Sequence, residues 1–188
     1  MEFLDEIAAL TPVPAGGAAC AYTANLGMAL VYKVLLFELN RKELDPGPQA
    51  NLRVAQKEIE RIYLDLKKLI SEDPKCFVSF DASVGSGDQA AGKAAFLDIM
   101  TCSMQVMEKA FAGLEWVRMM STISSLKLAP HLRVAAELLG ASILGTAHLV
   151  RENLKTIKSP EKQKGYLERL ETLCKDGMKK KKEVMEDL

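Results

Sequence analysis

Two stretches of this 188-residue chain, Ala18–Leu39 and Val134–Ala147, are apolar or small on nearly every side of a helix. A helix of that kind has to be covered all round, so both stretches belong at the centre of something larger. No segment shows sustained alternation of apolar and polar residues between hairpin turns, so the cover is expected from other helices.

Those helices are legible in the spacing. Glu2–Leu10 reads as a short helix with Phe3, Leu4, Ile7 and Leu10 on one side. Thr11-Pro12-Val13-Pro14-Ala15-Gly16-Gly17 breaks it, because proline removes donors and glycine permits unusual dihedrals. A long helix is then predicted from about Ala18 to Arg41. Its small residues Ala18, Ala21, Ala24, Gly27 and Ala29 would let a second helix approach closely. Leu44-Asp45-Pro46-Gly47-Pro48 is a further break. Gln49–Ser71 is amphipathic, with Leu52, Ala55, Ile59, Ile62, Leu66 and Leu69 stepping by three or four. Ser71-Glu72-Asp73-Pro74 reads as a helix restart, followed by helix over Phe77–Val84 and a break at Gly85–Asp88. Helices are predicted over Gln89–Gly113, Leu114–Leu126 and Leu128–Ile157. A last one starts at Ser159-Pro160-Glu161 and ends near Lys179–Lys182. With no internal repeat and no domain boundary, residues 1–188 read as one all-α domain, a single-domain bundle of long helices. About six helices in one layer do not cover both apolar stretches, so a homodimer is expected.

Composition narrows the function. Hydrophobic residues at 48% and charged residues at 27% are the balance of a folded soluble domain, not of a disordered or fibrous chain. Lys plus Arg equals Asp plus Glu at 25 each, so the basic excess of a nucleic-acid binder is missing. Glu183, Glu186 and Asp187 dilute the run Lys179–Lys182, which reads as a solvated helix end favoured by the helix dipole. The uncharged stretch Val13–Tyr32 is marginal in length and weak in hydrophobicity for a membrane span, and a buried core helix explains it. The acidic start Met1–Glu6 has no signal-peptide pattern, and a reducing cytoplasmic setting is expected. Cys20, Cys76, Cys102 and Cys174 are scattered among apolar neighbours without metal-ligand spacing, so they read as buried hydrophobes and no metal is expected. His148, on the apolar stripe of its helix, reads as a core residue.

Three stretches carry a further signal. The first is Phe3-Leu4-Asp5-Glu6-Ile7-Ala8 with Thr11-Pro12-Val13-Pro14-Ala15-Gly16-Gly17-Ala18-Ala19-Cys20-Ala21. The second is Asp73-Pro74-Lys75-Cys76-Phe77. The third runs from Val134-Ala135-Ala136 to Asn153-Leu154-Lys155-Thr156-Ile157-Lys158. In order and spacing they resemble the formimidoyltetrahydrofolate cyclodeaminase family, which opens with a proline, glycines and a small-residue helix. That family also has an Asp-x-x-x-Phe stretch and a late Asn-Leu-Lys-x-Ile signature.

The resemblance implies an all-α dimer that takes a tetrahydrofolate derivative as substrate near the subunit interface. It implies either cyclisation of 5-formimidoyltetrahydrofolate to 5,10-methenyltetrahydrofolate with loss of ammonia, or the related methenyltetrahydrofolate cyclohydrolase reaction. Asp73 matches the family's acid and is the candidate catalytic residue; the alternative is a helix cap before Pro74. Pro14, Gly16 and Gly17 fall where a loop becomes a helix, and free amides there could hold an anionic or carbonyl group of the ligand, or merely start a close-packed helix. Asn153 could meet the pterin edge and Lys155 a glutamate carboxylate of the folate; otherwise both belong to an exposed polar face.

Several positions depart from the family pattern. Ala15 replaces the first of three glycines, and Ala18 replaces a small hydroxyl residue. Pro130 and His131 stand where a Ser-Asp pair is usual, and Val84–Asp88 replaces a Leu-Pro-Lys turn. His131 could act as acid or base near neutral pH, or sit at the surface beside Pro130. The departures leave a second reading open, a diverged, non-catalytic helical dimer that binds a folate or another small molecule. A third is an unrelated helical interaction protein.

Overall fold

The two apolar stretches become neighbouring antiparallel helices at the centre of the molecule. The structure is a computed structural model and describes residues 2–41, 46–157 and 159–188. It contains α1 (Glu2–Ala8), α2 (Gly16–Leu39), α3 (Pro46–Ser86), α4 (Gln89–Ile123), a 3-10 turn at Leu126–Leu128, α5 (Ala129–Leu154) and α6 (Pro160–Asp187). Among the described residues there is no strand, and the all-α class is as expected.

Helices α2, α3, α4 and α5 run alternately up and down around one core, and α6 lies in the groove between α4 and α5. Contacts fix the directions. Asn25 of α2 donates to the Tyr63 carbonyl of α3 at 2.6 Å, and Tyr32 stacks on Tyr63. Along α3 and α4, Lys109 donates to Asp65 at 2.5 Å, and Phe80 meets Phe96 with ring centroids 6.0 Å apart. The core is aliphatic and sulfur-rich: Met28, Leu35, Ile59, Leu66, Met100, Met107, Leu114, Leu132, Leu139 and Ile143 are fully buried. Burying such side chains supplies roughly 1.5–3 kcal/mol each before the chain entropy is counted.

The close approach of α2 and α5 rests on small residues, as their sequence predicts. Ala18, Ala21, Ala24 and Gly27 are buried. A methyl group on Gly27 would lie 2.9 Å from Leu139 Cγ and 3.1 Å from the Ala135 carbonyl oxygen. One of these neighbours is backbone, so it cannot simply rotate away. Gly27→Ala is expected to destabilise by about 1–3 kcal/mol, read as a lower urea midpoint with an unchanged m value. By length and apolar composition α2 and the Leu126–Leu154 segment could each cross a membrane. Here they are the core helices of the bundle, and Ala21, Ala24, Val31 and Leu139 are fully buried.

Several boundaries differ from the sequence reading. The expected break at Leu44–Pro48 lies partly outside the described residues, and α3 is described from Pro46. Helix α3 does not restart at Pro74 but runs through it to Ser86. An interior proline costs a helix about 3 kcal/mol. Contacts to α4 on both sides, Asp65–Lys109 before it and Phe80–Phe96 after it, hold the axis in register across that defect. Helix α4 likewise passes through Gly113, where Met28 Sδ and Leu139 leave no room for a side chain.

At the far end of α3, Gly87 takes a left-handed φ of 72°, and Asp88 caps α4 by accepting from the Ala90 and Ala91 amides. Ser159 caps α6 as anticipated, but α6 continues past the lysine run to Asp187. That run is solvated only in part, at Lys179 and Lys182. Lys180 pairs with Glu115 and lies 5.0 Å from the Phe111 ring centroid, and Lys181 pairs with Glu137 at 2.9 Å. Charge thus seats α6 on α4 and α5. His148 is exposed, not in the core.

Candidate functional site

Helix α2 begins without a local cap. Ala15 precedes it in an extended conformation and has no side chain to offer the first-turn amides. The Val13–Pro14 peptide bond is cis, and Pro14 is half-buried just ahead of this helix start. The polar partner arrives from another helix. Asp73, in the middle of α3, lays its carboxyl group over Gly17 so closely that a methyl group there would be 2.0 Å from Asp73 Oδ1. Gly17 therefore has a specific reason to lack a side chain. Asp73 does not cap its own helix before Pro74, because α3 is continuous there.

Burial raises the Asp73 pKa above the ordinary carboxyl value, and the Ala18 backbone N–H beside it partly offsets the rise. Desolvation disfavours the charged form more than one amide favours it. Around this carboxyl lie thiols. Burial, first, and the Asp73 charge, second, push Cys102 up to about 12. Burial likewise raises Cys20 and Cys76, with smaller contributions from Asp73. All four cysteines have raised pKa values with burial as the leading cause, so none is an activated thiolate; Cys102 and Cys174 are buried as expected, whereas Cys20 and Cys76 are half-buried. Among the described residues no group of three or more His, Cys, Asp or Glu side chains is placed to hold a metal ion.

The C-terminal half of α5 closes the other side. Leu149 touches Gly16, and Gly145 lets Cys20 Sγ approach to within 2.9 Å of where its Cβ would be. The Ser142 hydroxyl donates to the Cys20 carbonyl at 2.9 Å. Asn153 is half-buried and one turn beyond Leu149 on the same side of α5, which brings it to the end of the bundle that holds Gly16, Gly17 and Asp73. Lys155 is exposed and paired with Glu152 at 2.6 Å.

His131 is not part of this group within one protomer. It sits in the first turn of α5, and 14 residues separate it from Gly145, about 21 Å along the helix. The length of the predicted Leu128–Ile157 helix already implies that separation; the antiparallel pairing of α2 and α5 decides which of its ends meets the start of α2.

A second feature of this end escaped the sequence reading. Helices α3 and α4 project past the start of α2. Between their tips and the α5–α6 connection lies a cavity of about 540 Å³ whose walls include Phe80, Lys93, Phe96, Ile157, Lys162 and Tyr166. Its residues come from four separate segments with no shared motif, so no local pattern announces it. Asp73 does not line it. Phe80 lies seven residues from Asp73, two turns and about 10 Å along the same face of α3.

The fold and this site define an all-helical protein with a half-buried acid facing a glycine helix start. The sequence profile of the formiminotransferase-cyclodeaminase family matches residues 1–172, and the chain belongs to that family. The crystal structure of formiminotetrahydrofolate cyclodeaminase from Thermotoga maritima superposes with a TM-score of 0.91 at 22% identity, covering 100% of this chain and 93% of that one. At that identity the likeness speaks for the fold. No curated protein sequence matches.

Proposed function

We propose that this chain is a folate-dependent one-carbon enzyme that closes 5-formimidoyltetrahydrofolate to 5,10-methenyltetrahydrofolate and releases ammonia. The observation that carries the reading is the Asp73 carboxyl, its pKa raised by burial, held against Gly17 and the Ala18 amide in a member of this family. In the reaction N10 of the folate attacks the formimidoyl carbon and loses its proton. The imine nitrogen takes one proton from solvent as it becomes the amino group of the tetrahedral centre, and that amino group then receives the proton lost by N10 and departs as ammonia. The sum is substrate plus one proton giving the methenyl cation plus ammonia. One carboxyl group can take the N10 proton and deliver it to the departing amino group if its pKa is drawn toward working pH, which burial of Asp73 favours. Gly16 and Gly17 let the ligand come close to backbone amides, with Pro14 shaping the approach. Asn153, half-buried near the same end of the bundle, would meet the pterin edge in this reading.

The test follows the absorbance of the methenyl product with purified full-length protein and 5-formimidoyltetrahydrofolate, and in parallel the decay of 5,10-methenyltetrahydrofolate. Product formation from the formimidoyl substrate supports the cyclodeaminase reading. Decay of the methenyl compound alone reassigns the chain to cyclohydrolase chemistry. Folate binding by calorimetry without either turnover identifies a diverged binding protein, the outcome that Ala15, Ala18, Pro130 and His131 would explain.

The assembly we infer is a homodimer. Leu26 and Phe37 on α2 and Val134 and Leu144 on α5 are exposed, at 44%, 56%, 50% and 42%, on the two helices that are apolar nearly all round. Sedimentation at micromolar concentration should give twice the 20.7 kDa monomer mass. His131, remote from Asp73 in its own chain, would reach a folate site only across such an interface.

A further inference from the structure

The geometry points to the cavity between the α3–α4 tips and the start of α6 as a binding site for an aryl-amide dicarboxylate, specifically the p-aminobenzoylglutamate arm of the folate, with Lys93 and Lys162 holding its carboxylates. This rests on the folate reading above and goes beyond it, because it places the arm that does not react.

The chemistry of the walls selects the ligand class. Phe80 and Phe96, with centroids 6.0 Å apart, and Tyr166 offer ring faces and edges to a flat aromatic group. The volume of about 540 Å³ lies within the range of small-molecule pockets. Lys93 and Lys162 are exposed, and among the described residues neither has a carboxylate within salt-bridge distance. Lys33, Lys57, Lys67, Lys75, Lys127 and Lys175 are likewise unpaired among the described residues, but only Lys93 and Lys162 line this cavity. Two uncommitted ammonium groups on the rim of an aromatic pocket suit two carboxylates beyond a ring. Helix α6 also begins here, and its N-terminal dipole favours negative charge.

Distance supplies the link to the reacting end. The aryl ring of a folate is bonded directly to N10, the atom that attacks in the proposed reaction. The aromatic walls must therefore begin a short way from the acid and the lysines must lie further out. Phe80 stands about 10 Å from Asp73 along one face of α3, and Lys93 and Lys162 lie on the α4 and α6 sides of the same cavity. Lys155, the residue that sequence reasoning offered for a glutamate carboxylate, is committed to Glu152 instead.

Calorimetry with p-aminobenzoyl-L-glutamate tests the site without requiring turnover. Wild type is expected to bind it, in competition with tetrahydrofolate and more weakly as salt rises. K93E/K162E should raise the Kd for both ligands by more than about tenfold with unchanged circular dichroism and Tm, because both lysines are exposed. K93Q/K162Q, which removes charge without reversing it, should give a smaller effect of about three- to tenfold.

The inference is overturned if p-aminobenzoylglutamate fails to bind wild type at millimolar concentration, or if its affinity is the same in wild type and K93E/K162E. It is also overturned if the variant turns folate over with an unchanged KM, and the function proposed above then stands. If p-aminobenzoylglutamate binds through the lysines but no folate is converted, the site stands and the catalytic reading fails.

Discussion

Asp73→Asn is expected to lower turnover of 5-formimidoyltetrahydrofolate by about 10²–10⁴-fold, the usual contribution of a positioned acid–base group. The same substitution should leave the fold at least as stable as wild type near neutral pH. The sign follows from the raised pKa. The folded chain holds the Asp73 proton more tightly than the unfolded chain, whose value is near 3.8. Its stabilising influence is complete below that value and is lost as pH rises through the raised folded pKa. As pH rises through the raised folded pKa, wild type comes to carry a half-buried charge that asparagine does not, while the amide oxygen can still accept from the Ala18 N–H. Thermal unfolding across pH 3–8, read beside the activity assay, checks both halves. A variant that is less stable and equally active would assign Asp73 to tertiary capping of α2 and remove it from the chemistry.

Gly17→Ala should abolish activity nearly as completely, by at least about 10²-fold, through displacement of the Asp73 carboxyl. The introduced methyl group would lie 2.0 Å from Oδ1 and 2.5 Å from Cγ of Asp73, so the side chain has to leave its position. Alanine is the better helix former by roughly 0.5–1 kcal/mol, which offsets part of the strain, and global stability should change little. Gly16→Ala is the control. Its methyl group would meet only the Leu149 side chain, at 3.3 Å, and a flexible leucine end can shift by a few tenths of an ångström. In Gly16→Ala the acid keeps its place, so a kcat close to wild type with a raised KM, beside loss of kcat in Gly17→Ala, separates positioning of the acid from access of the ligand to the backbone at Gly16. Equal loss in both would mean that the loop itself, not Asp73, is what the substitutions disturb.

The departures from the family pattern at Ala15 and Ala18 look different beside this geometry. Neither position offers a side chain to the amides at the start of α2, and Asp73 faces the Ala18 amide from across the core. A hydroxyl absent at position 18 therefore does not leave the helix start without a polar neighbour. Pro130 and His131 are a separate matter, because they belong to the opposite end of α5.

Periodicity alone determined the class of this protein and most of its helices. Apolar stretches that need cover on all sides, and stripes stepping by three or four, admit little besides a helical bundle. Buried Ala21, Ala24 and Gly27 on α2 and Leu52, Ile59 and Leu66 on α3 are residues those patterns name. Local breakers were weaker guides. Pro74 and Gly113 punctuate the sequence but not the structure, since long antiparallel contacts outweigh a single lost hydrogen bond or a mobile backbone. The meeting of Asp73 with Gly17, the choice of the end of α5 that meets them, and the aromatic cavity with its two lysines were decided only by tertiary structure. Each depends on which helices run antiparallel and in what register. Register is a property of how whole faces interlock, and no short stretch of chain contains it.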